Sequence, residues 1–353
     1  MQIDIREATQ DDNRELQKVQ TRCPQGSSQN LSTVNTPDFF TRVKIFGDHK
    51  VYVATRKNRI IGSTACAVHD ALVNGKVAKI GYGFQAFVDP KYRGKGVAGL
   101  LHKVREDYMR ERGAVLGYTL VLEQNIASMR YIERQGFKQH RTLVMPSIMV
   151  NQEMDVGSDV KIRPITQEDL AAVASLVNET WQDYELYDPM TADSLASLVR
   201  RTPVYSFDDI FVLEENKQIM ACLGFWDWSR VMRITVRALS LKVRAMSFLL
   251  DIVRIFRPIP KGPKIGDELK QIVLTPIGFR DIEHLTILLR HINNQAFAKG
   301  IHQIDCACEK NHPLLDSLNG FIRIDSGIHI YIKPFQDDVV LADRPFFIDG
   351  LDL

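Results

Sequence analysis

The sequence has no long apolar run, since no stretch of its 353 residues approaches the roughly 18 apolar residues of a membrane-spanning helix. It has no zinc-type cysteine spacing either, because its five cysteines are an odd number at unsuitable intervals. It also lacks an excess of one charge: 45 Lys and Arg face 43 Asp and Glu, a net charge of +2. These absences argue against an integral membrane protein, a structural zinc protein and a general binder of polyanions.

We expect no secretory signal in this sequence, because its first residues, MQIDIREATQDD, are charged from the fourth position onward. Cys306 and Cys308 alternate along a predicted strand, so both should face one side of a sheet as small apolar groups. Cysteines of this kind suggest a reducing compartment, and we expect a cytoplasmic protein. The content of 45% hydrophobic and 25% charged residues is typical of a globular protein, and the length allows two ordinary domains.

One segment carries more functional information than the rest of the chain. The apolar residues 84–88 predict a strand, which Asp89-Pro90 ends. A glycine-rich turn, RGKGVA, follows at residues 93–98, and residues 97–108 then show helical spacing of apolar side chains. Strand, turn and helix in this order present backbone N–H groups and a helix N-terminus to a phosphate. The segment therefore predicts a pyrophosphate site.

Two common nucleotide motifs do not fit this turn. A P-loop requires a Lys-Ser/Thr pair after its second glycine, where this sequence has Val-Ala. Gly94, Gly96 and Gly99 have the spacing of a dinucleotide fingerprint, but no acidic residue ends a second strand at the usual distance. The pattern that does fit is R-x-x-G-x-A, formed by Arg93, Gly96 and Ala98.

This loop resembles the coenzyme A loop of the GNAT N-acetyltransferase superfamily. A second segment supports the resemblance, because residues 118–122 predict a strand and Asn125, Ser128 and Gly136-Phe137 follow at the family's spacing. In that family the pantetheine arm lies between the fourth and fifth strands, which splay apart. The resemblance covers residues 3–150 and implies acetyl-CoA as co-substrate, with no metal. The coenzyme A contacts that it implies are Phe87, Val88, Arg93, Gly94, Lys95, Gly96, Val97, Ala98, Asn125 and Ser128.

The sequence departs from the family at the catalytic positions. Many members carry a Tyr seven residues after the Asn, as general acid for the thiolate. Here Ile132 stands at that position, and Tyr131 lies about 100° away around the helix. Tyr131 could equally pack on the helix with its hydroxyl at the rim. The glutamate base that some members have on the fourth strand is absent. The catalytic candidates are Tyr131, Glu123 and, on the fourth strand, Tyr82, with His69 and Asp70 as further ionisable residues nearby.

The chain also repeats itself. Residues 5–12 (IREATQDD) return as residues 162–169 (IRPITQED), and each copy predicts a strand, a Thr cap and an acidic first helical turn. Gly136-Phe137 is echoed by Gly320-Phe321. Two copies of one fold in tandem explain these echoes.

We therefore predict an α+β protein with tandem GNAT-like folds, each a mixed, mostly antiparallel twisted sheet flanked by helices. The predicted units are an acetyl-CoA-binding GNAT domain over residues 1–150, a polar linker over 151–159 and a degenerate GNAT-like domain over 160–353.

The second copy lacks the phosphate loop. Its corresponding residues 274–281 read LTPIGFRD, without a basic residue framed by glycines, and Asp281 and Glu283 would repel a phosphate. Catalysis is therefore expected in the first domain only. The second domain could wall the substrate pocket, recruit a partner or bury a surface of the first.

A basic insertion is predicted within the second domain at residues 229–267, where Lys and Arg are interleaved with apolar side chains. A basic amphipathic helix can lie on a membrane surface or hold an acidic peptide or nucleic acid. More often, such a segment is a helix that covers the core and has a solvated basic face.

A narrower resemblance, to the Hookless-type N-acetyltransferases of plants, spans nearly the whole chain. Its markers are Arg22-Cys23 before a glycine-containing loop, the run PSIMV at residues 146–150, Trp226 on a strand, and the basic insertion. Those proteins also lack the tyrosine at the position of Ile132.

The function that these features favour is acetyl-CoA-dependent N-acetyl transfer, directly to a primary amine of a small molecule or protein. A backbone N–H near Phe87 or Val88 should hold the oxyanion, and residues 23–35 and 69–74, with the second domain, should wall the acceptor site. The alternatives are a non-catalytic acyl-CoA-binding regulatory or scaffolding protein, and a nucleic-acid module that uses the basic insertion. The near-neutral charge disfavours the last. No transmembrane association is expected, and a homodimer is left open.

Overall fold

The structure is a computed structural model that describes residues 2–26, 29–157, 160–254, 256 and 259–353. Two residues of the predicted linker (Ser158 and Asp159) and three of the predicted insertion (Ile255, Arg257 and Pro258) lie outside the described residues, as do Ser27 and Ser28. No helix in these ranges has the length and apolar character needed to cross a bilayer.

The N-terminal half contains β1 (Asp4–Glu7), α1 (Asn13–Thr21), β2 (Gln29–Asn35), β3 (Asp48–Arg56), β4 (Arg59–Val73), β5 (Lys76–Val88), α2 (Val97–Glu111), β6 (Leu116–Leu122), α3 (Ile126–Arg134) and β7 (Lys138–Met149). The C-terminal half contains β8 (Lys161–Pro164), α4 (Leu170–Trp181), α5 (Ala192–Arg201), β9 (Ile210–Glu215), β10 (Gln218–Trp226), β11 (Met232–Leu239), α6 (Leu241–Val253), β12 (Glu268–Leu269), β13 (Gln271–Phe279), α7 (Ile282–Ala298), β14 (Gln303–Asp305), α8 (Leu314–Ser317) and β15 (Arg323–Pro334).

The two echoed start segments adopt the same local structure. Arg6 forms a bidentate pair with Asp12, at 2.7 Å for both bonds, and Arg163 forms the same pair with Asp169 at 2.7 and 2.9 Å. Each aspartate also accepts a bond from the backbone N–H of the preceding Thr cap. The hydrogen bonds from the guanidinium hold the pKa of each aspartate below its ordinary value. The sequence echo therefore encodes one N-terminal capping arrangement used twice.

In the part of the chain that the structure describes, twelve strands form one mixed sheet in the order β1-β3-β4-β5-β6-β15-β7-β14-β13-β10-β9-β8. The strand order of the C-terminal half mirrors that of the N-terminal half about the centre of the sheet. The exception is the last strand of each half: β7 lies next to β14 of the C-terminal half, and β15 lies next to β6 of the N-terminal half. β15 pairs antiparallel with both β6 and β7, and β7 pairs with β14. The fold is thus a large mixed sheet flanked by helices, as the sequence predicts, and its two halves interlock by exchanging a strand.

The cores of the two halves are interlocked in the same way. The core around α1 and β3–β5 includes Ile328, Ile330 and Phe346 from the C-terminal end of the chain. The core around α4, β10 and α7 includes Ile45 and Ile148 from the N-terminal half. Each core therefore buries apolar surface supplied by the other half.

This exchange predicts the behaviour of a fragment that ends at Val150. Without β15, the fragment would expose the facing edges of β6 and β7 and lose part of its core, so we expect it not to unfold cooperatively. Thermal unfolding followed by circular dichroism measures this. As the control, the same fragment co-expressed with residues 151–353 should recover a cooperative transition. A stable, monomeric fragment on its own would show instead that residues 1–150 form a separable domain.

Candidate active site

The loop after β5 has the strand, turn and helix geometry that its sequence predicts. The Asp89 carboxylate accepts a hydrogen bond from the Lys91 N–H at 3.0 Å and so closes a short turn. Gly94 and Gly96 follow with φ of +72° and +82°, a region that disfavours any side chain. Gly96 is the N-cap residue of α2 and provides no side-chain cap. The first N–H groups of α2 therefore lack a side-chain acceptor.

The glycines leave open space in front of this helix end. A methyl group built at Gly94, Gly96 or Gly99 would meet no atom within 4 Å. The arrangement is a concave stretch of bare backbone at the positive end of a helix, which fits a phosphate group. The side chains of Arg93 and Lys95 add positive charge at the same place. They bond to the loop's own carbonyls, at 3.1 and 2.8 Å, and leave the glycines uncovered.

The equivalent helix of the C-terminal half cannot bind an anion in this way. Its N-cap residue is Asp281, whose carboxylate accepts the N–H of Glu283 at 2.7 Å. The carboxylate occupies the place of a phosphate, and Glu283 adds a second negative charge in the first turn. The phosphate-type geometry therefore occurs in the N-terminal half.

Next to the loop, β5 and β6 splay apart. They pair in parallel only from Ile80↔Leu116 to Tyr82↔Tyr118, although β5 continues to Val88 and β6 to Leu122. One bond crosses just beyond the last pair, from the Thr119 hydroxyl to the Gly83 carbonyl at 2.7 Å. Beyond these residues, the backbone N–H and C=O groups of β5 and β6 do not form a ladder with each other, and the two strand ends leave an opening in the sheet.

A bulge lies on β5 at this opening. The pairing with β4 shifts register between Ser63↔Phe87 and Ala65↔Phe84, and Gln85 has a φ of +48°. Both polar atoms of the Gln85 amide are buried without a hydrogen-bond partner among the described residues. Buried amides are nearly always paired in proteins, so the Gln85 amide is available for a bond to a bound molecule. The sequence analysis did not identify Gln85, and only its backbone strain and lack of partners reveal it.

The two faces of the sheet differ at the opening. Gly81 and Gly83 lie against Met109 and Arg105 of α2, which defines the α2 face. Side chains alternate along a strand, so Tyr82 and its neighbour Phe84 project from the opposite face.

A buried positive charge lies under the opening on the α2 face. The Arg105 guanidinium donates to the Thr64 hydroxyl at 3.2 Å and lies 3.0 Å from Nδ1 of His102. Burial lowers the pKa of His102 to about 3, so this imidazole is neutral and adds no charge of its own. Arg105 can therefore favour a developing anion, such as a thiolate, in the opening.

Tyr131 is on the α2 face as well. Its hydroxyl donates to the carbonyl of Ala98, in the first turn of α2, at 2.7 Å. Burial raises the pKa of this phenol. Ile132, which stands at the family's tyrosine position, is buried against Phe137 and Val121. Tyr131 therefore links α3 to the phosphate-type loop, and its proton is engaged by a backbone carbonyl.

Asn125 and Ser128 are both at the start of α3. The Asn125 side chain accepts the N–H of Ser128 at 3.2 Å and so caps the helix. Glu123, just before them, is exposed and lies against Gly327 of β15. Glu123 directly follows β6 and lies five positions beyond Tyr118, the partner of Tyr82 on β5, which is about 16 Å of extended chain. The structure therefore does not bring the three catalytic candidates, Tyr131, Glu123 and Tyr82, together.

Tyr82 is buried on the face opposite α2. Its ring stacks on Tyr118 at 4.7 Å and on Phe84 at 4.9 Å. Its hydroxyl donates to the main-chain carbonyl of Asp352 at 2.5 Å, and the Tyr118 hydroxyl donates to the Asp352 carboxylate at 3.1 Å. The C-terminal segment is thus attached to the residues where β5 and β6 begin to splay.

A cavity of about 150 Å³ opens on this face. His69 of β4 lines the cavity from the N-terminal half. The C-terminal half contributes Arg201 of α5 and Asp188 of the loop before it, and the C-terminal segment contributes Asp349 and Asp352. The described residues of 23–26, 29–35 and 70–74 do not line it. The sequence analysis missed the three aspartates, because no local motif marks them.

Burial dominates the proton equilibria in this cavity. It raises the pKa of Asp352 to about 8 and that of Asp188 to about 6, and it raises the pKa of Asp349 as well. It lowers the pKa of His69 to about 4, so the imidazole is neutral at neutral pH. The cavity therefore combines an ionised carboxylate with one that exchanges its proton near neutral pH.

Comparison with known proteins agrees with this geometry. The sequence profile of the Acetyltransferase (GNAT) family matches residues 14–137, which include the loop, the opening and α3. That segment is therefore similar to the GNAT family. The curated protein sequences contain no match to this chain.

Three solved structures are similar to this chain in fold over nearly its whole length. A GCN5-related N-acetyltransferase from Sphaerobacter thermophilus is 12% identical, with a TM-score of 0.56 over 99% of this chain and 98% of its own. Saccharomyces cerevisiae N-myristoyltransferase with bound myristoyl-CoA is 12% identical, with a TM-score of 0.65 over 96% and 86%. A glucosamine N-acetyltransferase region of a fungal β-N-acetylglucosaminidase is 13% identical, with a TM-score of 0.61 over 94% and 38%. At these identities the likeness concerns the fold, and it covers both halves of the chain.

Proposed function

We propose that the protein is an acetyl-CoA-dependent N-acetyltransferase that transfers the acetyl group directly to a primary amine of a small molecule or protein. Family and fold support acyl transfer from an acyl-CoA thioester. The observation that carries the finer proposal is the opening between β5 and β6. It has a phosphate-type loop at one end and, on the opposite face, a cavity lined by carboxyl groups.

In this proposal the pyrophosphate of acetyl-CoA binds at the backbone of Gly94, Gly96 and the first turn of α2. The pantetheine arm passes through the opening, where the buried Gln85 amide and a backbone N–H near Phe87 or Val88 can bond to its carbonyl groups. Arg105 favours the departing thiolate from the α2 face.

The acceptor amine enters from the opposite face. An alkyl amine is mostly protonated at neutral pH, so a cavity with the Asp188 carboxylate attracts it as a cation. It must lose a proton before it attacks the thioester. Asp352, with its pKa of about 8, is a far better proton acceptor than an ordinary carboxylate and lines the same cavity. The second half of the chain then has a catalytic role, because it provides both aspartates.

Direct transfer is favoured over a cysteinyl intermediate. All five cysteines are free and buried. The thiol of Cys23 lies 3.4 Å from the carbonyl of Val88, at the end of β5. Burial raises its pKa and keeps the thiol protonated. A thioester carbonyl therefore has no thiolate nucleophile ready beside it.

The experiment that tests the proposal measures release of free coenzyme A thiol from acetyl-CoA in the presence of a panel of amines. We expect release that depends on a cationic primary amine and saturates with it. Binding of acetyl-CoA without release for any amine would favour the non-catalytic, acyl-CoA-binding alternative. The cytoplasmic location, the Hookless-type resemblance and a homodimer stay predictions.

Tyr131→Phe should lower kcat by less than about tenfold, roughly 1.4 kcal/mol. The hydroxyl donates to the Ala98 carbonyl, so its loss removes one structural bond and no proton donor to the thiolate. Steady-state kinetics at saturating acetyl-CoA measure the effect, with acetyl-CoA affinity as the control. A loss of about 100-fold or more in kcat with unchanged affinity would make Tyr131 the general acid.

A further inference from the structure

Helix α6 packs against the rest of the protein over a small part of its surface, since Ser247 is its one buried residue among those described. Ser247, near its middle, is buried, and its hydroxyl donates to the Pro263 carbonyl at 3.0 Å. Gly262 lies so close to Ser247 that a methyl group on the glycine would overlap it. The strand before the helix, β11, pairs with β2 of the N-terminal half, and this three-stranded sheet carries α6.

The outward side of α6 is apolar. With about 100° per residue, its exposed large apolar side chains fall within an arc of about 160°. Leu241 is 81% exposed and Phe248 is 67% exposed, and a contiguous group of such side chains is unusual on a protein surface. The group, called here the α6 face, consists of Leu241, Met246, Phe248, Leu249, Ile252 and Val253.

Positive charge is concentrated around the α6 face. Residues 229–267 contain nine Lys and Arg against two Asp, a formal charge of +7, whereas the whole chain carries only +2. The rest of the protein is therefore net acidic. Asp251 and Asp267 are paired with Lys264 and Lys261. Among the described residues, Lys242, Arg244 and Arg254 form no ion pair.

We propose that α6 binds the surface of an anionic lipid bilayer, lying in its interface with the α6 face in the acyl boundary. A helix with a wide apolar face and basic residues beside it has the form of an interfacial helix. The apolar side chains are exposed along the outward side of one helix, which suits a planar lipid surface. Anionic headgroups complement the unpaired Lys242, Arg244 and Arg254. Such binding would hold the β2 side of the molecule close to the membrane.

The test uses the full-length chain and sedimentation with lipid vesicles. We expect binding to vesicles of phosphatidylcholine with about one-third phosphatidylserine, and little binding to phosphatidylcholine alone. Phe248→Ser with Leu249→Ser should weaken this binding by at least about tenfold. Lys242→Glu with Arg244→Glu should weaken it too, and added salt should weaken the wild type.

Matched controls separate surface binding from loss of structure. Ile324→Ser with Val340→Ser removes two equally exposed apolar side chains elsewhere and should leave vesicle binding unchanged. All variants change exposed positions, so each should keep the wild-type thermal transition. Equal sedimentation of the wild type and the Phe248/Leu249 variant would overturn the proposal. So would a dimer, or a complex with an acidic peptide, that depends on the α6 face in a protein that does not bind anionic vesicles.

Discussion

Replacing Gly96 with aspartate should reduce the affinity for acetyl-CoA by at least about 100-fold, roughly 2.7 kcal/mol. The new carboxylate would sit at the N-cap position of α2 and accept the N–H groups that the proposal assigns to the pyrophosphate. Its negative charge would also face the phosphates in a partly desolvated site. Isothermal titration calorimetry with acetyl-CoA measures the change.

Gly96→Ala is the matched control. Both variants place a side chain at a φ of +82°, which costs about 1–2 kcal/mol of strain, but only aspartate brings charge and a capping group. A methyl group at this position meets no protein atom, so the alanine variant should fold and should lose much less affinity than the aspartate variant. Wild-type affinity in a folded Gly96→Asp protein would show that acetyl-CoA binds elsewhere.

Asp352→Asn should lower kcat/KM at pH 8 by about 100-fold or more. The amide can still accept the hydrogen bond of Tyr118, but it cannot take a proton from the amine. In the wild type, kcat/KM should rise with pH through about 8, as the Asp352 carboxyl ionises. The variant should lose this inflection with the same acceptor amine. Tyr118→Phe, which keeps the carboxyl and removes its hydrogen bond, should keep an inflection.

Stability provides an independent readout for the same variant. The pKa of Asp352 is raised from 3.8 to about 8 by burial, so the folded protein binds this proton more tightly than the unfolded chain does. Folding stability from this group is therefore fully present below about pH 4 and is lost as pH rises toward 8. Asparagine never carries the charge, so Asp352→Asn should raise Tm at pH 8 while it lowers activity. An unchanged kcat/KM would remove Asp352 from the mechanism.

The sequence predicted what depends on neighbouring residues. The turn at residues 93–98, the start of α2 and the paired Thr caps at 9 and 166 each follow from a few side chains and backbone angles within one short segment. The apolar spacing of residues 97–108 likewise predicts α2 within three residues of its end. Cys306 and Cys308 lie in the same core, but the strand that their alternation predicted ends before them, at Asp305.

The sequence patterns did not predict where side chains lie relative to distant parts of the chain. Tyr131 is one residue from the family's tyrosine position and Glu123 is an ionisable residue near Asn125, yet Tyr131 bonds to the Ala98 carbonyl and Glu123 is exposed beside β15. Gln85 gives no sequence signal, because its importance comes from a bulge and from missing partners. Side-chain direction at such positions depends on register and on packing between elements, which no local pattern specifies.

By itself, the sequence determined the phosphate-type loop, the helix that follows it and the repeated Thr caps at 9 and 166, because each is encoded by residues in direct succession. Only the tertiary structure decided that β15 lies between β6 and β7, and that the C-terminal segment brings Asp349 and Asp352 to the opening near Tyr82. The physical reason is the separation along the chain. Some 270 residues separate Tyr82 from Asp352, and their contact forms only when both halves share one sheet and its buried core.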